Sequence, residues 1–434
     1  MSNIITGKCL DMCPVSERRN REENHQLDPL EITPGQDHQT TPQLAVKAFP
    51  RSAAGTLQQD PQLLRPLPIL KRTLSHLVSL LSSSQQPVVD TCAFIFNRVR
   101  CIFQDFTVQE LFIPDAIPLL EQITYTYLLL DYLLMDEDQP SSATALLYNQ
   151  LNNVLHALLN IYDSLDGSSP NEMYFRSISL LSGVGNTVSQ KIPSVAPDTL
   201  GEWASWTIRT GDRIKSNRDQ SIFDWTVNVM RSFHSRNYFQ FFSIFKQSNF
   251  FQAVLLLRTA RVFRRCTLDW FHQRLIGTHK ISVVSDWLAI TEQSLIDLLD
   301  IVNISVNQGC FILPRQPLPP KPWQSLHFPE ISSVVSSIPG ERLRLIDSML
   351  VLPFLKMIQE DCVLTVGDVL DPKYHSQQVE ASISAVMPVP SPQESLRVRP
   401  TRPKPTREER FFRSGGGTSR VTGSNPRYGK KSIR

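Results

Sequence analysis

The chain lacks the local motifs of the common enzyme classes. Its 434 residues contain no G-x-x-x-x-G-K-[ST], no G-x-G-x-x-G, no H-E-x-x-H and no G-x-S-x-G. Phosphate loops, dinucleotide folds, zinc-protease helices and nucleophile elbows of the usual kind are therefore excluded. The nine histidines are dispersed and form no local acid–base or metal-binding group. We expect no enzymatic activity, no cofactor and no metal.

Cysteines are few, and long apolar runs are missing. The seven cysteines have an odd count and no repeating spacing, which argues against a disulfide framework and favours reduced thiols in the cytoplasm or nucleus. No charged segment followed by an apolar run opens the chain, so we expect no secretory leader. The uncharged stretch 140–162 contains Gln150, His156 and several asparagines, which a bilayer core does not tolerate cheaply. It predicts a core helix and no contact with a membrane.

Charge is distributed unevenly along the chain. Residues 396–434 hold twelve Lys or Arg against two Glu, a net +10, so a total of +3 leaves about −7 for the remainder (3 − 10). A basic tail rich in Pro and Gly is a candidate for binding nucleic acid or an acidic partner, and the alternative is a solvated, disordered tail.

Apolar residues at steps of three and four predict a series of amphipathic helices. Four stripes show the pattern: Leu67, Leu70, Leu74, Leu77 and Leu81; Ile95, Val99, Ile102 and Phe106; Leu120, Ile123, Tyr127, Leu130 and Leu134; Leu147, Leu151, Val154, Leu158, Ile161 and Leu165. Further helices are predicted near 172–182, 198–210, 219–234, 237–247 and 250–275, with breaks at 166–170 and at Gly183–Asn186. Such helices with short connections predict antiparallel pairs stacked into a superhelix.

The pattern changes after residue 280. A helix at 291–300 precedes two β-prone segments, 301–306 and 310–313, separated by a turn at 307–309. These features predict a hairpin, and a helix before a hairpin is the outline of a winged-helix module. Residues 314–330 are rich in Pro and predict an extended connector, and residues 334–370 are again helix-like. Beyond residue 377 we expect disorder.

Three groups of residues have both a functional and a structural interpretation. Cys9 and Cys13 with His25 and His38 do not match the spacing of zinc fingers, which favours a structural role. Aromatic residues between 233 and 251 have helical spacing, which favours a core over a stacking platform. A third group lies on one predicted helix and either tracks phosphates or pairs with acids of the body: Arg258, Arg261, Arg264 and Arg265.

The N-terminal residues carry the most specific pattern. Gly7-Lys8-Cys9-Leu10-Asp11-Met12-Cys13-Pro14 precedes a charged helix in which Glu17 and Arg21, Arg18 and Glu22, and Arg19 and Glu23 are spaced i, i+4. Pro14 suits a helix start. This segment resembles the entry signature of the Sac-three/GANP domain family of scaffold proteins. The signature positions present here are Asp11, Met12, Cys13, Pro14, Glu17, Arg18, Arg21 and Glu22.

Four further stretches, in the same order, resemble the family. They are Arg65–Leu70, Phe96–Thr107, Pro170–Arg176 and Asn237–Phe242, and the resemblance covers residues 7–315. Phe103 stands where the family usually has Arg, and Val15-Ser16 replaces a more charged pair. By this resemblance Arg98 and Arg100, with the four arginines of the predicted helix, are candidate contacts for nucleic acid or for a partner.

The resemblance implies a mostly α protein, a helical-repeat (TPR/PCI-like) superhelix that ends in a winged helix. Composition, periodicity and the resemblance together predict an entry motif and helix at 1–23, a flexible linker at 24–61, the body at 62–280, the winged helix at 281–315, a connector with C-terminal helices at 316–376 and a disordered basic tail at 377–434.

The implied function is a non-catalytic scaffold of nuclear messenger-RNA export at a pore-associated complex. Its partners would be a helical-repeat/winged-helix protein, a small acidic subunit and, as an open alternative, RNA. Phe-Gly repeats and a centrin-binding helix, known from large family members, are not seen, so a second hypothesis is a factor of centrosome duplication and spindle assembly with centrosomal partners. We expect the chain in the nucleus and cytoplasm, or at the centrosome and spindle under the second hypothesis.

Overall fold

The structure, a computed structural model, describes residues 5–49, 60–135, 141–165, 169–190, 197–274, 277–301 and 304–312. Within these ranges the protein is mostly α, with one small antiparallel sheet. None of the helices described there is both long and apolar enough to cross a bilayer. The expected connector, C-terminal helices and basic tail lie outside the described residues.

Ten α-helices precede the sheet in the residues that the structure describes. They are α1 (Val15–Glu23), α2 (Leu67–Ser83), α3 (Val88–Val108), α4 (Ile117–Leu134), α5 (Ser141–Ser164), α6 (Glu172–Gln190), α7 (Pro197–Gly211), α8 (Asn217–Ser235), α9 (Tyr238–Phe245) and α10 (Phe250–Arg274). Short 3-10 turns lie at Pro29–Glu31, Pro61–Leu63 and Pro114–Ala116. All four apolar stripes fall on helices as their spacing predicts, except that Leu165 lies one residue beyond the end of α5.

Neighbouring helices bury these stripes against each other. Helix α2 packs on α3, α4 on α5, and α5 on α6, while the long α10 packs on both α6 and α4. The aromatic residues near 240–251 belong to this core, because Phe242, Phe245 and Phe250 are fully buried. The core interpretation is confirmed for them, but Phe239 keeps 40% of its surface exposed.

One predicted helix break is wrong. Gly183–Asn186 does not end a helix, since α6 continues to Gln190. Val184 is buried in the core, and burial of its side chain contributes about 1.5–3 kcal/mol. That gain is comparable to the cost of about 1 kcal/mol for each of the two glycines, Gly183 and Gly185, in the helix interior.

The expected flexible linker at 24–61 is packed over its described part. Glu31, Val46 and Lys47 are buried, and Asp28 and Glu31 form a capping box around the turn at Pro29–Glu31. These residues contact α1 and α3 through the ion pairs described below. The expected linker is therefore attached to the helices at Glu31 and at Lys47.

The C-terminal part of the described chain is a small α/β module, residues 277–312. It contains β1 (Thr278–Lys280), α11 (Ile281–Leu288), α12 (Glu292–Ile301), β2 (Val306–Asn307) and β3 (Cys310–Ile312), with strand order β1-β3-β2, all antiparallel. The predicted hairpin is present, and Gln308 and Gly309 at its turn both have positive φ, 51° and 71°, as a two-residue type I′ turn requires. Ile301 ends α12 and does not start the strand, and β1 and α11 were not anticipated.

Gly7 lies where the N-terminal segment crosses the start of α2. The amides of Lys8 and Cys9 donate to the carbonyls of Pro61 and Leu64 at 2.7 and 2.9 Å, and the Gly7 amide donates to Gln109 Oε1 at 2.8 Å. A Cβ at position 7 would lie 2.5 Å from the Leu64 oxygen. Only glycine fits without moving this backbone.

We expect Gly7→Ala to destabilise the attachment of the N-terminal segment by about 1–3 kcal/mol, through overpacking and a weakened buried hydrogen bond. Hydrogen exchange of the Lys8 and Cys9 amides would accelerate accordingly. Gly201→Ala is the control, because a Cβ there meets nothing within 4 Å and alanine favours the helix. Unchanged exchange at residues 8 and 9 in Gly7→Ala would contradict this account.

Candidate functional site

Two buried ion networks join the N-terminal segment that carries the signature to the first long helices. The first is centred on Glu31, whose Oε2 accepts from Arg21 Nη1 at 2.7 Å and from Arg98 Nη2 at 3.0 Å. Its other oxygen accepts from the Val46 amide at 2.8 Å. We call this group the Glu31 network: Arg21, Glu31 and Arg98.

Glu31 is fully buried, yet it stays ionised. Burial by itself raises the pKa of this carboxyl, but the guanidinium groups of Arg98 and Arg21 and the Val46 amide outweigh that effect, and the pKa lies below its ordinary value. The two arginines need this anion in return, since a buried cation without a partner is costly. The network therefore joins α1, the 28–49 segment and α3.

The second network is centred on Asp105 of α3. Its Oδ1 accepts from Lys47 Nζ and its Oδ2 from Arg65 Nε, both at 2.7 Å. Arg65 has no exposed surface, and its Nη1 also donates to the Met12 carbonyl at 3.2 Å. We call this group the Asp105 network: Lys47, Arg65 and Asp105. It holds the signature backbone against α3.

The remaining signature side chains complete the attachment. Glu17 accepts from the Ala48 amide at 2.8 Å and lies 3.5 Å from Arg21 Nε, so this i, i+4 pair is formed. Arg18 pairs with Asp11 at 3.2 Å, and Glu22 accepts from the Thr40 amide at 3.0 Å. Pro14 is the N-cap of α1. It therefore lies one position before the first helical residue, and not at the first helical position that proline favours. The signature is thus occupied by contacts within the chain.

The signature thiols are also part of this packing. Cys13 Sγ accepts from Arg21 Nη2 at 3.3 Å, and burial raises the pKa of this thiol to about 12. Cys9 is likewise buried, with its pKa raised mainly by burial. His25 and His38 stack on each other, with ring centroids 4.3 Å apart. Across the described residues no three His, Cys, Asp or Glu side chains are arranged to hold a metal ion, and protonated thiols are poor metal ligands.

The predicted basic stripe on α10 faces inward wherever its side chains are described. Arg258 Nη2 donates to Asp131 Oδ1 of α4 at 2.6 Å, and the same carboxylate accepts from the Tyr148 hydroxyl. Arg264 is 1% exposed and donates to the carbonyls of Leu288 and Ala289 at 3.0 and 2.9 Å. The side chains of Arg261 and Arg265 lie outside the described set. Arg258 and Arg264 therefore join α10 to α4 and to the module, and do not form a phosphate-binding face.

The two candidate arginines of α3 are also committed to internal contacts. Arg98 belongs to the Glu31 network, and Arg100 lies over the Phe49 ring with its Cζ 4.0 Å from the centroid. A cation held over an aromatic face in this way is stabilised by about 0.5–2 kcal/mol. The helix periodicity could not reveal this role, because the partners lie in a segment without periodicity.

A hollow of about 320 Å³ lies on the small sheet, between Ile304, Asn307 and Phe311. Its lining includes no carboxylate, histidine, lysine or arginine, so it offers no acid–base pair. The outer surface instead carries exposed apolar residues. On α7, Leu200 and Ile208 are 50% and 73% exposed, and with the exposed Ala204 they form a row at i, i+4 and i+8.

We expect Glu31→Gln to destabilise the protein by about 3–5 kcal/mol at neutral pH, because it leaves Arg21 and Arg98 buried without an anion. The lowered pKa of Glu31 means that its stabilisation is present above its ordinary value of 4.5 and is lost as the pH falls through the folded-state value. The difference between the two proteins should thus shrink in acid. Thermal unfolding from pH 7 to pH 3 measures this.

Glu23→Gln is the matched control, since Glu23 is an exposed glutamate of α1, the helix that carries Arg21. Its effect should stay within about 0.5 kcal/mol at every pH. A Glu31→Gln protein that unfolds like the control at pH 7 would show that the network does not hold the segment.

Comparison with known proteins places this arrangement in a family. "SAC3 family protein B" of Arabidopsis thaliana is 27% identical over 315 residues, which is 70% of this chain and 18% of that protein. "SAC3 family protein 1" of Schizosaccharomyces pombe is 36% identical over 181 residues, 41% of this chain and 17% of that protein. "Protein xmas" of Drosophila melanogaster is 30% identical over 171 residues, 38% of this chain and 8% of that protein.

The match thus covers less than a fifth of each of these relatives. The model of the SAC3/GANP family matches residues 12–308, a span that starts inside the signature and ends at the hairpin turn of the module. It includes both ion networks and the long helices that they join. The chain belongs to the SAC3/GANP family.

Proposed function

We propose that the chain is a non-catalytic scaffold of the messenger-RNA export type. The observation that supports this most is the inward orientation of the signature: Arg21 pairs with the buried Glu31, and the Met12 carbonyl accepts from the buried Arg65. A family motif whose residues make their contacts within the chain indicates a shared architecture and not a shared reaction. The outer faces of the helices are then available to bind partner proteins.

The architecture also supports a finer assignment. Sequential neighbours such as α2–α3, α4–α5 and α5–α6 pack on each other, as in a TPR/PCI-like superhelix. In the module, two helices stand between β1 and the β2–β3 hairpin, and β3 pairs with both other strands. We assign this arrangement as a winged helix that closes the helical body.

The apolar row on α7 is the docking surface we assign to the helical-repeat partner. Leu200 and Ile208 are exposed apolar residues on a helix that buries its opposite side through Trp206. An amphipathic helix with a second apolar face is typical of helix-to-helix association. The small acidic subunit is the second partner of this proposal.

RNA is the third proposed ligand, and the distribution of charge along the chain favours the basic tail as its binding site. The module has one Lys against four Asp or Glu over residues 277–312, a net −3 (1 − 4), while residues 396–434 carry +10. Phosphate backbones are attracted by cations, so the acidic module is a poor surface for RNA. The described arginines at 258 and 264 are internal.

Affinity purification of the full chain tests the scaffold. We expect a helical-repeat/winged-helix protein and a small acidic protein to co-purify with the native chain. Ile208→Glu should reduce their recovery at least about tenfold, because a charge replaces an apolar contact of about 1.5–3 kcal/mol. Ser221→Glu, at an exposed position of α8, is the control and should retain them. Equal loss in both variants, or none in either, would contradict docking on α7.

RNA binding is tested by its salt dependence. Substituting four tail residues by Gln should lower the slope of log K against log salt by about 0.7 for each lost phosphate contact. The four are Arg397, Arg399, Arg402 and Lys404. The control substitutes four exposed basic residues of the body and should leave the slope unchanged: Lys8, Arg19, Lys215 and Arg218. A flat salt dependence of the native chain would rule out direct binding through phosphates.

The second candidate function is centrosome duplication and spindle assembly. Imaging of the tagged full chain through interphase and mitosis separates the two proposals. An export scaffold should be found in the nucleus and cytoplasm throughout interphase, whereas centrosomal foci with only centrosomal proteins co-purifying would favour the second.

A further inference from the structure

The connection between α7 and α8 presents a serine with cations on both sides. Residues 212–216 form this connection and read Asp-Arg-Ile-Lys-Ser. Ser216 has Arg213 three positions before it, Lys215 directly before it and Arg218 two positions after it. No other Ser or Thr of the sequence has a cation at all three of these positions. The charge pattern is therefore specific to one hydroxyl of the chain.

The Ser216 hydroxyl is accessible, and its proton is not engaged. Its Oγ accepts from the Asp219 amide at 3.1 Å, and among the described residues no acceptor takes the hydroxyl proton. Ser216 is exposed, and its backbone is extended, with φ −138° and ψ 162°. A hydroxyl in this setting can enter the active site of a kinase, where a carboxylate accepts its proton.

Two of the three cations are available for recognition by another protein. Lys215 and Arg218 are exposed, and neither forms an ion pair with a described residue. Arg213 is engaged within the chain, since it lies 3.4 Å from both Asp163 and Glu172. Kinases select their substrates by such patterns of charge. The two cations next to Ser216 therefore complement a kinase whose substrate groove carries carboxylates.

The structure separates Ser216 from serines that share only part of the pattern. Ser75, Ser179 and Ser221 each follow an arginine by three positions, but each lies inside a helix. A helical segment must unwind before it can lie extended in the active site of another enzyme. Ser216 precedes the first residue of α8, so only the first turn has to open for Arg218 to be recognised. The amides of that turn have no partner within the helix, and helix ends open at little cost.

We propose that Ser216 is phosphorylated by a serine kinase that recognises basic residues on both sides of its target. The Ser216 Oγ attacks the γ-phosphorus of ATP and forms an O–P bond. The bond from that phosphorus to the bridging oxygen breaks, ADP leaves, and the hydroxyl proton passes to the carboxylate of the kinase.

The modification reverses the charge of the connection. Residues 212–219 hold three cations and two acids, a net +1 (3 − 2). A phosphate adds about −1.5 to −2, which leaves a net charge of about −1. The surface that directly follows α7 would then repel the acidic partners that it attracts before modification. This site is independent of the identity of the export or centrosomal partners.

Incubation of the folded full chain with ATP and the catalytic domain of protein kinase C, which selects serines between basic residues, tests the proposal. Chymotrypsin then releases residues 207–223 from the denatured product, and mass spectrometry locates the phosphate. We expect phosphate on Ser216 and at least about tenfold less on Ser221, because α8 has to open before Ser221 can react. Ser216→Ala should leave this peptide unmodified. No phosphate on Ser216, or equal amounts on Ser216 and Ser221, would overturn the proposal.

Substitution of the two exposed cations gives a second measurement. Lys215→Gln with Arg218→Gln should slow phosphorylation of Ser216 at least about tenfold, because contacts with the carboxylates of the kinase are lost. Lys8→Gln with Arg19→Gln is the matched control, since it removes two exposed cations from the N-terminal segment. It should leave the rate unchanged. An unchanged rate in the first pair, or an equal decrease in both, would contradict recognition by charge.

A kinase of the opposite preference distinguishes charge recognition from mere exposure. Asp219, three positions after Ser216, is the acid that casein kinase 2 recognises in its substrates, but its Oδ2 accepts from the Lys215 amide at 3.3 Å. With each rate divided by that of the same kinase on its standard peptide, casein kinase 2 should modify Ser216 more slowly than protein kinase C. An equal or faster rate with casein kinase 2 would overturn the proposal.

Discussion

Two buried carboxylates, each shared by two cations, hold the N-terminal quarter of this protein together. Glu31 binds Arg21 and Arg98, and Asp105 binds Lys47 and Arg65, with all four distances between 2.7 and 3.0 Å. Neither carboxylate has a substitute, because loss of one would leave two buried cations without an anion. Apolar packing of α2 and α3 supports the helices themselves, but the segment at 28–49 contributes few apolar side chains and depends on these charges.

The helices could be predicted from the sequence because the spacing of apolar residues within each helix shows which of its faces is buried. Leu70, Leu74 and Leu77 lie one turn apart and are all buried, so local spacing was sufficient. The hairpin turn was equally local, because Gly309 adopts a positive φ of 71° without a steric cost. By contrast, β1 has three residues, which is too short for an alternation to be seen, and α11 was missed although it has the same length as the predicted α9.

The candidate site was harder to predict, because its partners are distant in sequence. From the sequence alone, the helix face of Arg258 has the character of a solvent-exposed surface. Its partner Asp131 lies 127 residues earlier in the chain, so local spacing does not reveal the pair. Glu31 stands in a segment without periodicity, and its capping box with Asp28 was the one local signal of order. The signature itself was recognised, but its role as an internal attachment requires the positions of Arg65, Arg98 and Asp105, which no local pattern supplies.

The long sequence separation of these contacts has a consequence for synthesis. The Gly7 amide bonds to a residue 102 positions later, and Glu31 bonds to one 67 positions later. Until α3 has been synthesised, residues 5–49 lack Arg98, Asp105 and Gln109, the partners that hold them to this helix and to its end. The segment before α2 is therefore attached only after α3 has emerged from the ribosome, so that the nascent chain folds back onto a part of itself that was made earlier.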